Sequence, residues 1–392
     1  MVPMAAASLG WLPATHPFYT FCSQQILPVC LTLLLIGTDL KGIYRLGPQA
    51  TLLMLCGSLG TILGGIISFK LYAHWLPQGA WASVGALTAS WIGGSANLVA
   101  VKEALAAPDS LIAPIILVDA TVAYSWMALL LWASTQQGRW DQLISSKYRE
   151  VTRGVWGDQA LENPSGHGSR VRQELRRTRE SEGSIVAQLR SLGGASGPEH
   201  PHPREVASRN PIPLGWPSIA YSTIGLALSV LISMAAQWAG GRLPAIGAVI
   251  TPSTWTVLLV TTTALLLSLT PLRKLEQAGL SKIGTVLLYI LLASIGARSN
   301  FQAIAAAPIF LALGATWILI HGLFLITTGY FLKSPLGMIA AASQANIGGT
   351  ISAPIVGATY HPQLAGVGLL MAILGNILGT YLGLATAFIL RS

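Results

Sequence analysis

Apolar residues fall in ten blocks along this chain, without the short alternation of strands or the one-sided stripe of a water-facing helix. Eight blocks are continuous, at about residues 18–37, 49–71, 111–133, 217–239, 252–271, 282–298, 306–332 and 363–389. Roughly 20 residues rising 1.5 Å each cross a hydrocarbon core of about 30 Å, so each block predicts a membrane-crossing helix. The other two, 80–104 and 335–359, are interrupted. Trp91-Ile92-Gly93-Gly94-Ser95-Ala96-Asn97 breaks the first, and Gln344-Ala345-Asn346-Ile347-Gly348-Gly349-Thr350 with Pro354 breaks the second. Paired glycines inside an apolar segment weaken the helix and bare peptide groups that are costly in lipid unless protein or water satisfies them.

The order of elements repeats. A long helix precedes each interrupted block and another follows it; Ile92-Gly93-Gly94-Ser95 lines up with Ile347-Gly348-Gly349-Thr350, and Ile36-Gly37 with Ile295-Gly296. If the interrupted blocks enter and leave on one side, the two copies are inverted; if they span, the copies are parallel. Both arrangements place 18 Lys/Arg on the side of the long linker and 5 on the other, so charge does not choose between them. Inverted repeats with broken elements meeting near the midplane are a recurrent transporter plan. The expected fold is therefore an all-α polytopic membrane protein of two inverted repeats with discontinuous or re-entrant broken helices. Its expected divisions are an N-terminal segment (1–16), a first membrane repeat (17–135), a charged, largely disordered linker (136–214) and a second membrane half (215–392).

Composition sharpens this picture: 52% of the 392 residues are apolar and 9% charged. Of the charges, 12 Lys/Arg and 9 Asp/Glu lie between Gln136 and Leu214, leaving about one charge in twenty elsewhere. A net charge of +9 could suggest nucleic acid, but the bases sit at the ends of apolar blocks, where positive-inside topology explains them. Met1 to His16 lack a basic stretch before an apolar one, so no cleavable signal peptide is expected. Cys22, Cys30 and Cys56 lie in apolar runs, which predicts neither disulfides nor a cysteine metal site. His167, His200 and His202 could hold a metal, although a loop without chemistry is the simpler reading. There is no P-loop, His-Glu-x-x-His or Gly-x-Ser-x-Gly motif, so neither an enzyme nor a resident cofactor is expected.

Candidate chemistry gathers at the interruptions. Gly93, Gly94, Ser95 and Asn97, then Gln344, Asn346, Gly348, Gly349 and Thr350, offer side-chain donors and freed carbonyls to a small solute or a desolvated cation. Asp119 is the acid well inside a continuous block; it must be protonated, paired or beside an aqueous cavity, or else bonded to hydroxyls such as Thr121 or Tyr124. The aligned residue in the second half is Leu374, with Asn376 close by. His321 could relay protons or serve as a hydrogen-bonded structural imidazole. Lys102 and Glu103 read as interfacial or mutually paired. Glycines 375, 379 and 383, and Gly60 with Gly64, read as stripes for close helix packing.

The segments Gly85–Asn97, Ile295–Asn300, Ala342–Thr350 and Leu374–Gly383 resemble the YjcL-like uncharacterised integral membrane proteins, the domain-of-unknown-function 819 family, over about Phe18 to Ile389 without the linker. That family is similar to a clan of cation/proton antiporters and anion symporters. The resemblance implies inverted repeats with crossed or re-entrant elements, secondary transport, and a first repeat lacking its first helix. It maps the glycine motifs onto Gly93, Gly94, Ser95, Asn97, Asn346, Gly348, Gly349 and Thr350, and an acidic position onto Asp119. The expected function is ion-coupled transport of a small solute, an organic anion being one candidate, with Na⁺ or H⁺ as coupling ion. A membrane scaffold or accessory subunit and an ion channel are the alternatives. Expected partners are lipid, a small molecule or ion, and a second copy in a homodimer, but not nucleic acid. A bacterial inner membrane is the default location and an organellar membrane the other option.

Overall fold

The computed structural model describes residues 2–13, 15–144, 216–247, 249–298 and 307–391. The chain divides into two units. Met1–Gln137 and Leu214–Ser392 form one, so both membrane halves belong to a single unit; Gly138–Pro213 is the other, described over 138–144 at the end of a short helix, Gln137–Leu143. The Arg-rich stretch and His167, His200 and His202 lie outside the described residues.

Among the described residues the first unit is helical, with one isolated bridge between Ile246 and Ile250. Besides a single helical turn at Leu40–Ile43 and short 3₁₀ turns, its helices are α1 (Val2–Ser8), α2 (Pro17–Leu35), α3 (Gly47–Tyr72), α4 (Ala80–Gly93), α5 (Ser95–Ala104), α6 (Asp109–Ala133), α7 (Trp216–Gly240), α8 (Pro252–Ser268), α9 (Leu280–Arg298), α10 (Ala307–Phe331), α11 (Leu336–Ile347), α12 (Gly349–Tyr360) and α13 (Leu364–Arg391). Seven of the described helices are long and apolar enough to cross a membrane, or eight if α8 and the bent 3₁₀ turn Pro271–Ala278 count as one span. Large apolar side chains such as Leu319, Leu323, Tyr289 and Phe331 point outward, as lipid permits and water would not. Cys22, Cys30 and Cys56 are free thiols inside this apolar body.

α13 serves as a ruler. Its 28 residues rise about 42 Å, more than a hydrocarbon core, so Leu364 and Arg391 mark opposite faces. The first interrupted block starts and ends at the Arg391 face: the Arg391 guanidinium lies 4.9 Å over the Trp81 ring, and a Cβ on Gly79 would meet Pro108 at 3.2 Å. The second starts and ends at the Leu364 face, where a Cβ on Gly337 would meet both Tyr360 (2.6 Å) and Leu364 (2.8 Å). A continuous span of that length would hold its ends about 35 Å apart. Both blocks are therefore re-entrant hairpins, α4–α5 and α11–α12, entering from opposite faces. Arms of 10 to 14 residues reach roughly mid-depth.

Glycine sets the closest approaches. Along α13, Gly383 and Ala387 face Gly85, Gly379 faces Ala89 and Gly93, and Gly375 lies on the Ile92 carbonyl; Gly368 lies on Ala353 in the other hairpin. The stripe at 375, 379 and 383 is thus the seat of α4. On α3, Gly60 receives Phe324 and Gly64 receives Trp317. With no hydrophobic drive between helices in lipid, such backbone proximity supplies the dispersion contact that holds them.

Candidate functional site

Local sequence fixes both hinges. Gly94 sits at φ +83° and Gly349 at φ +67°, a region that L side chains rarely adopt. The Gly94 amide still donates to the Ser90 carbonyl (2.6 Å), closing α4 before α5 starts at Ser95. At the second hinge, a Cβ on Gly348 would collide with Ser352 and Gln344, and Pro354 has no N–H to give the Thr350 carbonyl four residues earlier.

Each hairpin is tied to a helix of the other half. Asn97 donates to the Gly93 carbonyl (2.6 Å) and the Asn376 carbonyl (3.3 Å) and accepts from Thr380 (2.5 Å), locking the first tip to α13. Asn346 accepts from Ser58 of α3 (2.8 Å) and donates to the Ala342 carbonyl (3.0 Å) and the Met54 sulfur (3.3 Å). Met54 Cε would in turn meet a Cβ on Gly375 at 2.8 Å, the glycine that seats Ile92. The two tips thus converge around Met54 and Gly375, close to the middle of α13.

One buried polar atom at the tips lacks a partner. Gln344 donates to Ser352 (2.8 Å) while its buried Oε1 has none; turning the amide over would merely leave its NH₂ end without one. Ser95 is exposed and Thr350 half-buried at mid-depth. Gly93, Gly94, Asn97, Gln344, Asn346, Gly348, Gly349 and Thr350 therefore belong to two adjoining hinge clusters.

Asp119 lies beside them. Instead of bonding to Thr121 or Tyr124, it accepts from Trp91 Nε1 (2.8 Å) and from Ser90 at both oxygens (3.2 and 3.3 Å), pinning α4 to α6. Trp91 in turn leans on Trp317 (centroids 4.8 Å apart), whose Nε1 donates to the Thr61 carbonyl (2.6 Å). His321 is fully buried: Nδ1 lies 3.1 Å from the Gly57 carbonyl and 3.0 Å from Thr61 Oγ1, and Nε2 lies 3.0 Å from Ser343 Oγ, which accepts from Trp126 (2.8 Å). A carbonyl can only accept, so Nδ1 carries the proton and Ser343 donates to Nε2. This wire ends in an indole N–H, which gives up no proton, so its geometry is that of a latch joining α3, α6, α10 and α11.

A family model described as a protein of unknown function (DUF819) matches residues 1–155 and 207–392. The chain belongs to this family. It is also similar to the uncharacterized membrane protein YjcL of Bacillus subtilis (strain 168), 27% identical over 116 residues, or 30% of this chain. That alignment spans 29% of the relative's length. With seven apolar spans and a membrane-protein relative, the chain is an integral multi-pass membrane protein.

Sequence reasoning did not assign Met54, Ser58, Trp317 or Thr380, because groups 250 or more residues away supply their partners. It also left Arg298 without a role. Lys102 and Glu103 are indeed paired (2.7 Å), and Asp109 and Arg298 complete their cluster. The position of Arg298 inside the Ile295–Asn300 motif was the available signal.

Proposed function

We propose that the chain is an ion-coupled secondary transporter whose solute and coupling ion, Na⁺ or H⁺, bind between the hairpin tips. One observation carries this reading: two re-entrant hairpins from opposite faces meet near mid-depth on α13, where the buried Gln344 Oε1 stands without a partner beside the half-buried Thr350. An unsatisfied buried polar group costs about 1–3 kcal/mol, so a bare Gln344 Oε1 persists where another species completes it. Both α5 and α12 start at the tips, turning the positive ends of their dipoles inward to suit an anionic group. The Thr350 carbonyl and Gln344 Oε1 suit a cation. This favours an organic anion moving with a cation. The helix–hairpin–helix stretches α3–α6 and α10–α13 run in opposite directions, as an inverted repeat would require, and in this reading rocking one bundle against the other exposes the tips to each face in turn.

The test is purified protein in liposomes that report internal Na⁺ and pH, challenged with a panel of small carboxylates and amino acids. Saturable solute-dependent ion flux is expected, lost in Gly348→Leu and reduced at least tenfold in Gln344→Leu. Flux that needs no solute and does not saturate makes the protein a channel; no flux from folded protein favours a scaffold.

A further inference from the structure

Away from the tips, the Arg391 face holds a cleft of about 470 Å³ lined by four charged side chains. Lys102 lies 2.7 Å from Glu103 and 2.6 Å from Asp109; Arg298 lies 2.9 Å from Glu103 and 3.3 Å from Asp109. Helix ends place them. Lys102 and Arg298 stand at the C-terminal ends of α5 and α9, and Asp109 opens α6, each sign where the helix dipole favours it. The opposite wall comes from α2, where Pro28 cannot donate to the Gln24 carbonyl and the helix relaxes into a π turn, Cys22–Ile26. Gln237 of α7 donates to that freed carbonyl instead (3.0 Å), closing the side of the cleft.

We propose that this cleft binds a small zwitterion carrying one carboxylate and one ammonium group, as a free amino acid does. The four charges balance, and Lys102 is 3% exposed, so a ligand of single sign would leave an uncompensated charge in a poorly solvated cluster. A neutral ligand bearing both signs avoids that. The place where it enters is marked. Asp109 and Arg298, 29% and 18% exposed, form the outer edge of the square, and theirs is the longest of its four contacts. Arg298 Nε is also buried without an acceptor. The carboxylate takes Arg298 and the ammonium takes Asp109, while Lys102 keeps Glu103. The ligand then spans α6 and α9, at the base of the first hairpin.

Thermal unfolding of the full chain in detergent tests this, with glycine and L-alanine as zwitterions and propionate and ethylammonium as single-sign probes. A ligand that prefers the folded form raises its midpoint. A dose-dependent rise with the zwitterions and none with the single-sign probes is expected. In Arg298→Gln/Asp109→Asn, which removes opposite charges together, affinity falls by more than about tenfold. Gln24→Trp narrows the mouth, leaves the four charges in place and also lowers affinity. Both variants are checked for folding by gel filtration and circular dichroism. Propionate acting as strongly as L-alanine, no rise with any probe, or an undiminished zwitterion response in both variants overturns the proposal. Solute-coupled flux without a zwitterion response overturns this site alone; a zwitterion response without flux overturns transport alone.

Discussion

At the scale of single residues, the polar side chains inside the membrane body act mainly as ties. His321 bonds through both ring nitrogens, and Ser343 passes its network on to Trp126. His321→Leu takes from the Ser343 hydroxyl the acceptor of its proton at about 1–3 kcal/mol, while Thr61 still donates to the Gly57 carbonyl. His321→Gln, with a donor and an acceptor, costs less; unfolding of the two variants in detergent measures the difference. Asp119 ties α4 to α6 in the same way. Asp119→Leu strands the Trp91 indole N–H and destabilises by about 1–3 kcal/mol, whereas Asp119→Asn still accepts from Trp91 and folds normally. The sequence made both residues conspicuous because polar groups are rare in apolar blocks, but their partners lie on other helices: Thr61 is 260 residues from His321.

At the scale of elements, glycine spacing decides how hairpins seat on helices. A Cβ on Gly379 would meet Gly93 Cα at 2.8 Å and the Ala89 carbonyl at 2.9 Å, both backbone atoms that cannot turn aside. Gly379→Ala therefore costs about 1–3 kcal/mol through overpacking. Gly366→Ala on the same helix has nothing within 4 Å and is neutral or slightly stabilising. Paired unfolding curves check this contrast. The hinges and the glycine stripe are legible from sequence because their cause is local: a residue without Cβ, repeated at helical spacing. The helix that each stripe receives is not legible. Gly375, Gly379 and Gly383 could have seated any neighbour, and the close fit of α4 alone identifies it.

For the first unit as a whole, the consequence is topological. With Cys56 replaced by Ser, cysteines introduced at Gln78 and Ser110 react with a membrane-impermeant maleimide from one face, and those at Leu332 and Gln363 from the other. Reaction of Gln78→Cys and Ser110→Cys from opposite faces shows that the first block spans. Chain length, apolar run length and the two glycine pairs were enough to determine a polytopic helical membrane protein with two broken elements and to place its helix boundaries within a few residues. These properties follow from hydrocarbon thickness and local backbone freedom, which act along the chain. The direction of each hairpin needed tertiary contacts, because the count of basic residues is the same for a spanning and a re-entrant block. So did the grouping of Lys102, Glu103, Asp109 and Arg298: Arg298 and Glu103 are 195 residues apart, and only the packing of α5, α6 and α9 at one face brings their charges within bonding distance.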